Sequence, residues 1–283
     1  MRLILTTIVV LTIAQLATGQ ASNRVVRVAD KLTIRSDVTA DDLSQLATVS
    51  GIRAVTIQGI SRLKPAMLQS ILMRLDEVAD LEKLSILVGT VTDADLRHLK
   101  SWKRLRVFDA LENEITDDGL ANFEGLTDLE ELLLDFNHLT GRGLRHLRGL
   151  KRLRVLRLFP APIDDTDLAE IRDLNELENL QIGRSRITDA GLAYVAGFRK
   201  LKVLDLQYTQ ISNEGLRYLA ELTELRWLCL KGTKIDSTGM SHLKDLVNLE
   251  WLFLDYTGID DAGLLSLYRM KNLEALYLTA TRI

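Results

Sequence analysis

The sequence predicts an α/β solenoid, a stack of units that each contain one short strand and one short helix. Three observations carry this expectation. Leu81, Leu105, Leu129, Leu153, Leu177, Leu201, Leu225, Leu249 and Leu273 recur at intervals of 24 residues. Each opens an L-x-x-L-x-L spacing, as in Leu225, Leu228 and Leu230, whose period of two at its end places the leucines on one side of a strand. Apolar positions spaced three apart follow, as in Leu192, Val195 and Phe198, and make one face of a short helix. Self-similarity at such a period is the mark of a solenoid, because each unit buries its apolar side only against its neighbours.

The first nineteen residues stand outside this scheme. Arg2 gives a positive start, residues 3–17 carry no charge, and Ala17 and Gly19 occupy the −3 and −1 places of a small-residue cleavage site, with Ala21 a second choice. This is the pattern of a secretory signal peptide over residues 1–19. An uncleaved anchor is the rival, but the uncharged run falls short of the roughly twenty residues that a span needs. The expected product is a secreted or periplasmic chain with no membrane span after cleavage. Across the 283 residues, 47% are hydrophobic and 27% charged, with one Cys and three Pro, which excludes collagen, a disulfide scaffold and a disordered chain. The formal net charge of −3 gives no global basic field for nucleic acid or an anionic membrane.

The array begins before its clean part. Val38-Thr39-Ala40-Asp41-Asp42-Leu43 copies Val91-Thr92-Asp93-Ala94-Asp95-Leu96, which sets a first unit beginning near Val28. Ile52, Val55 and Ile57 open a second unit of 29 residues, with a longer helix from Pro65 that buries Leu68, Ile71, Leu72 and Leu75. In the 24-residue units the strand runs through a turn into motifs such as Thr188-Asp189-Ala190-Gly191-Leu192, where Thr or Asp caps a helical turn. Gly recurs at 119, 143, 191, 215, 239 and 263, but Asp95 and Asp167 replace it in two copies, so close approach explains it better than a positive φ. Residues 20–283 read as one domain of about eleven turns, the last truncated, because stacked repeats share one core.

These motifs resemble the leucine-rich repeat family, over essentially all of the chain after the leader. The Ile-Thr-Asp-x-Gly-Leu form looks closest to ribonuclease-inhibitor-like and F-box-associated repeats, although Thr209, Thr233 and Thr257 stand where those often carry Cys, and no F-box-like segment precedes the array. The resemblance implies a horseshoe or arc, with a parallel sheet on the concave face and short helices on the convex face.

The x positions of each strand point away from the core and would tile that face. Tyr208, Trp227, Trp251, Phe253, Tyr256 and Tyr277 gather toward one end, although aromatic residues are only 5% of the chain. With Asp205, Lys231 and Asp255, and beside Arg157 and Arg184, they form the expected partner-binding group, aromatic anchors with polar orienters of both signs. Aromatic residues that simply cover one another across strands are the alternative. A protein is the expected partner. A glycan or cell-wall surface is another, since Trp and Tyr also suit sugar faces, and self-assembly through the final strand, after which Ile283 follows with no helix, is a third. Catalysis has little support. His98, His146 and His242 share one helix column but lie at least 48 residues apart, His138 lies elsewhere, and solvated surface is the expectation for all four. The acidic pairs Asp117-Asp118, Asp164-Asp165 and Asp260-Asp261 fit N-capping better than Ca²⁺. No cofactor is expected. Cys229 either pairs with another molecule or is a small side chain partly covered beside Trp227.

Overall fold

The computed structural model describes residues 25–283 apart from 36, 45–50, 60–62, 79, 88 and 90; the leader expected over residues 1–19 lies outside them. Twelve strands form one open sheet in strict chain order. They are β1 (Val25–Val28), β2 (Lys31–Arg35), β3 (Ala54–Gln58), β4 (Lys83–Leu87), β5 (Val107–Asp109) and β6 (Glu131–Leu133), then β7 (Val155–Arg157), β8 (Asn179–Gln181), β9 (Val203–Asp205), β10 (Trp227–Cys229), β11 (Trp251–Phe253) and β12 (Ala275–Tyr277). From β2 onward every pair is parallel, and the register joins equivalent residues of successive repeats, Leu204 to Leu228 and Leu228 to Leu252. The fold is a leucine-rich repeat solenoid with the sheet lining its concave face.

The repeated leucines explain the sheet. Leu225, Leu228 and Leu230 are fully buried, as are their counterparts Leu249, Leu252 and Leu254. At the start of each strand from β3 onward two backbone N–H groups share one carbonyl of the preceding repeat: those of Arg226 and Trp227 donate to the Lys202 oxygen at 2.9 and 3.0 Å. Behind the strands, the helix from Pro65 to Leu75 buries Leu68, Ile71, Leu72 and Leu75 as expected. The remaining helices among the described residues are short, and most are 3-10 segments of three to seven residues, such as Gly119–Phe123, Gly215–Leu219 and Gly239–Leu243. A 24-residue unit leaves room for little more once its strand and two turns are made.

One element was not foreseen. The sequence reading began the array near Val28, but β1 pairs antiparallel with β2, Val25 opposite Ile34 and Val28 opposite Lys31. This hairpin covers the first parallel strand and buries Val25. Its turn is Ala29-Asp30, with Ala29 at φ 56°, and lacks the Asn-Gly or Asp-Gly pair that would have announced it.

The acidic positions do two different jobs, which corrects the expectation that all are N-caps. Asp164, Thr188 and Asp260 do cap helices, Asp164 accepting from the N–H groups of Thr166 and Asp167. The next acid along bridges repeats instead. Asp165 accepts from the Thr188 N–H at 2.9 Å and the Thr188 hydroxyl at 2.6 Å, one repeat later, and Asp93, Asp117 and Asp189 do the same for Thr116, Thr140 and Ser212. The recurrent glycines make room for these rungs: a Cβ on Gly119, Gly191 or Gly215 would fall on the carboxylate of Asp93, Asp165 or Asp189. Asn213 and Ser237 make the same rung to the Asp236 and Asp260 N–H groups, with Gly239 and Gly263 giving them room, whereas an Asp in the glycine position bonds that N–H from within its own repeat. Gly141 lacks the carboxylate, and Asp167 accepts from the Asp164 N–H at 3.0 Å. Asp95 accepts likewise from Thr92, and Asp42 from Thr39.

A second ladder lies at the end of each strand. Asn113 and Asn137 bridge repeats: the Asn137 amide donates to the Ala110 and Leu134 carbonyls and accepts from the Ile115 N–H. Ala161 interrupts this column, and the buried Ser185 hydroxyl has no partner. From Thr209 through Thr233, Thr257 and Thr281 each hydroxyl donates to a carbonyl of its own repeat. At the far edge, Leu276 and Leu278 in and after β12 are half-buried, where their counterparts in earlier repeats are fully covered.

Candidate concave-face binding site

Parallel register brings the expected aromatic residues together, in two groups. On the sheet, Trp227 and Trp251 are direct neighbours across β10 and β11. Their rings do not form the stacked pair. Trp227 instead reaches diagonally to Phe253, with ring centres 4.9 Å apart, and Phe253 stacks on Tyr277 at 4.4 Å and an interplanar angle of 6°. A diagonal neighbour on the same face lies within reach of large rings. Trp251 stands beside this run, 37% exposed.

The second group follows the turn just beyond the strands. Tyr208 and Tyr256 have φ of 53° and 56°, and Phe136 and Arg184 take the same left-handed conformation in their own repeats. This conformation, uncommon for residues with a Cβ, repeats because each turn must hand its N–H to the next repeat: that of Tyr208 donates to the Lys231 carbonyl at 2.7 Å. Cations fill the spaces between rings. The Arg184 guanidinium lies 5.2 Å from the Tyr208 ring centre and 5.9 Å from that of Phe159, and Phe159 meets Phe136 edge-on at 5.7 Å. The Lys231 ammonium lies 5.9 Å from the Tyr208 ring and 5.4 Å from the Tyr256 ring. Each such contact contributes about 0.5–1 kcal/mol at an exposed site. Gly232, at φ 66°, lets Tyr208 lie down, since a Cβ there would enter its ring.

Asp205 and Asp255, expected as polar orienters of a partner, are enclosed in the turns. They are 4% and 6% exposed. Asp205 accepts from the Gln207 backbone at 2.9 Å and its side-chain amide at 2.8 Å, and Asp255 accepts from the Thr279 N–H at 3.0 Å. Both shape the turn that carries the aromatic residues. Asp135 does the same for Phe159 while paired with Arg157 at 2.5 Å. Burial pushes the carboxyls of Asp205, Asp135 and Asp109 above the usual range, and the donated hydrogen bonds offset part of that rise. Arg184 is exposed and Lys231 half-buried, and among the described residues neither forms an ion pair. Along the turns that follow β8 to β12 the charged groups offered to solvent are therefore cationic.

Cys229 is covered rather than available. It is 4% exposed, and burial together with the nearby Asp205 pushes its thiol up to about 12. A thiol held protonated and enclosed is a poor nucleophile and a poor disulfide partner. His98 departs from the solvated reading as well: it is buried, with Nδ1 at 2.6 Å from the Asp76 carboxylate. His138 is exposed, and His146 pairs with Glu124 at 2.5 Å. Among the described residues no group of three or more His, Cys, Asp or Glu could hold a metal ion, and no helix is long and apolar enough to cross a membrane.

The sequence reading missed Phe136 and did not place Phe159 with the aromatic group. The signal was present: Phe136 shares the 24-residue column of Tyr208 and Tyr256.

Residues 199–220 match a family model described as Leucine Rich repeat. No curated protein matches the sequence. Among solved structures, the chain is similar to an internalin (inlF) from Listeria monocytogenes at 19% identity and a TM-score of 0.58, with 89% of each chain covered. It is similar to internalin C2 of the same organism at 26% identity and a TM-score of 0.60, covering 74% of this chain and 84% of that one. Against TLR13 in complex with ssRNA13 the identity is 18% and the TM-score 0.60, with 89% of this chain but only 36% of that chain covered.

Proposed function

We propose that this leucine-rich repeat chain is an exported, non-enzymatic binding module whose concave face recognises another protein. The observation that carries the reading is the exposed strip in which Tyr208 and Tyr256 alternate with Arg184 and Lys231 beside the Trp227–Phe253–Tyr277 run. Aromatic residues and Arg are the common anchors of protein interfaces, and rings fixed by neighbours lose little entropy when a partner covers them. Similarity to internalins and TLR13 supports the repeat architecture that carries this face. Export rests on the leader pattern of residues 1–19. Mass analysis of the mature chain from its native source is expected to find it starting after Gly19 or Ala21, and an intact Met1 would overturn that part.

Crosslinking capture from native fractions tests the binding reading, using wild type, Trp227→Ala/Trp251→Ala and the helix-side control His146→Ala. One protein captured by wild type and control but not by the double variant is the expected result. Equal capture by all three, or capture of the chain's own copies alone, overturns it.

A further inference from the structure

We infer that the partner segment lying on Arg184, Tyr208, Lys231 and Tyr256 is an acidic, extended peptide with carboxylates about three residues apart. The inference rests on the concave-face reading and adds the chemistry of what the face takes. Three features lead to it.

The first is charge. Asp205 and Asp255, the two carboxylates on this end of the sheet, are buried and committed to N–H donors of the turns. Arg184 and Lys231 reach solvent with rings rather than carboxylates against them. A cation over a ring keeps most of its capacity to bond an anion, and Arg184 offers a planar fork that matches a carboxylate. Complementarity therefore calls for an anionic ligand.

The second feature is the state of the ring faces. Tyr208 has both cations over its ring and lies on Gly232. Phe253 is taken up by Trp227 and Tyr277. Sugars and nucleobases stack on open ring faces, and those of Tyr208 and Phe253, at the centre of the two groups, are occupied. What the strip leaves open is the cationic heads and the ring edges, which suit carboxylates with apolar side chains between them.

The third is spacing. Arg184 follows β8 and Lys231 follows β10, so two strand intervals of about 4.8 Å separate their repeats. A peptide in the extended polyproline II conformation has three residues per turn and rises about 3.1 Å per residue, so carboxylates three residues apart lie on one face and span nearly the same ~10 Å.

The test is fluorescence anisotropy with a labelled peptide repeating Glu-Ser-Phe, compared with a Lys-Ser-Phe peptide, a uronate oligosaccharide and an oligouridylate. The full chain is used as wild type, Arg184→Glu/Lys231→Glu and the helix-side control Arg217→Glu. The expected result is saturable binding of the Glu peptide only, weakening with salt, and lost by tenfold or more in the Arg184→Glu/Lys231→Glu variant but not in the control. Circular dichroism melting of each variant checks that the fold is kept, and Arg184→Gln/Lys231→Gln, which removes charge without reversing it, is expected to lose binding to a lesser degree. Equal binding of the Lys peptide, tighter binding of either polyanion, no saturable binding, or indifference to both double variants overturns the inference. If capture by the concave face succeeds while the Glu peptide fails, the acidic chemistry is wrong and the face remains the site.

Discussion

At the scale of single residues, the exchange between Gly and Asp shows how a repeat is tuned. A methyl group on Gly191 would fall on the Asp165 carboxylate, which holds Thr188 of the next repeat. Gly191→Ala is expected to lower stability by about 1–3 kcal/mol in urea unfolding, through overpacking and a lost rung. The natural pair of Gly141 with Asp167 predicts the cure: Asp165→Gly/Gly191→Asp recovers most of that loss, and a double variant no better than either single contradicts the account. The sequence displayed the glycine column, yet its partner lies a repeat away, so spacing within one motif read every acid as a cap. Charged pairs have their own pH signature. Hydrogen bonds from Lys202 and then Arg154 hold the Glu178 carboxyl below its usual range. Its stabilisation is present above the unfolded value of about 4.3 and is lost as pH falls through the lowered folded value. Glu178→Gln should flatten acid unfolding in that window, by about 1 kcal/mol or less for so accessible a group. Burial gives Asp205 the opposite sign, a penalty relieved as pH falls through its raised value. The enclosed Cys229 thiol, pushed up to about 12, should resist iodoacetamide at neutral pH until the chain unfolds. Labelling of the native protein at the rate of an unfolded peptide would contradict its burial.

At the scale of elements, the strands were the most legible part. The leucine column marks each of the parallel strands from β4 onward, and the register follows from equal repeat lengths. The longer helix at Pro65–Leu75 was equally plain, because apolar spacing there runs through two full turns. The β1–β2 hairpin was not legible: four residues and a turn without Gly carry too little pattern to stand out. The two kinds of rung that close the strands predict different sensitivities. Asn137 bonds the Ala110 carbonyl and the Ile115 N–H in other segments, so Asn137→Ala strands buried groups and should cost about 2–3 kcal/mol. Thr233 bonds only the Leu230 carbonyl of its own repeat at 2.6 Å, and Thr233→Val should cost about 1 kcal/mol. Urea midpoints measured side by side check the order, and a reversal would show that Asn137 does not tie repeats together.

At the scale of the whole molecule, a rigid stack turns a local pattern into a surface. One residue per repeat places Phe136, Arg184, Tyr208 and Tyr256 along one edge of the sheet, although they span 120 residues of chain. The gathering of aromatic residues toward one end was visible in the sequence. That Asp205 and Asp255 are buried, and that rings meet diagonally across strands, depended on turn geometry that spacing alone does not encode. The central claim is that the concave face, rather than the helical side, meets the partner. Amide hydrogen exchange of the chain bound to the partner it captures tests this most directly. The account predicts slowed exchange in residues 203–208, 227–232, 251–256 and 275–279, with the helical turns 189–195, 215–219 and 239–243 unchanged. Protection confined to those helical turns would contradict it.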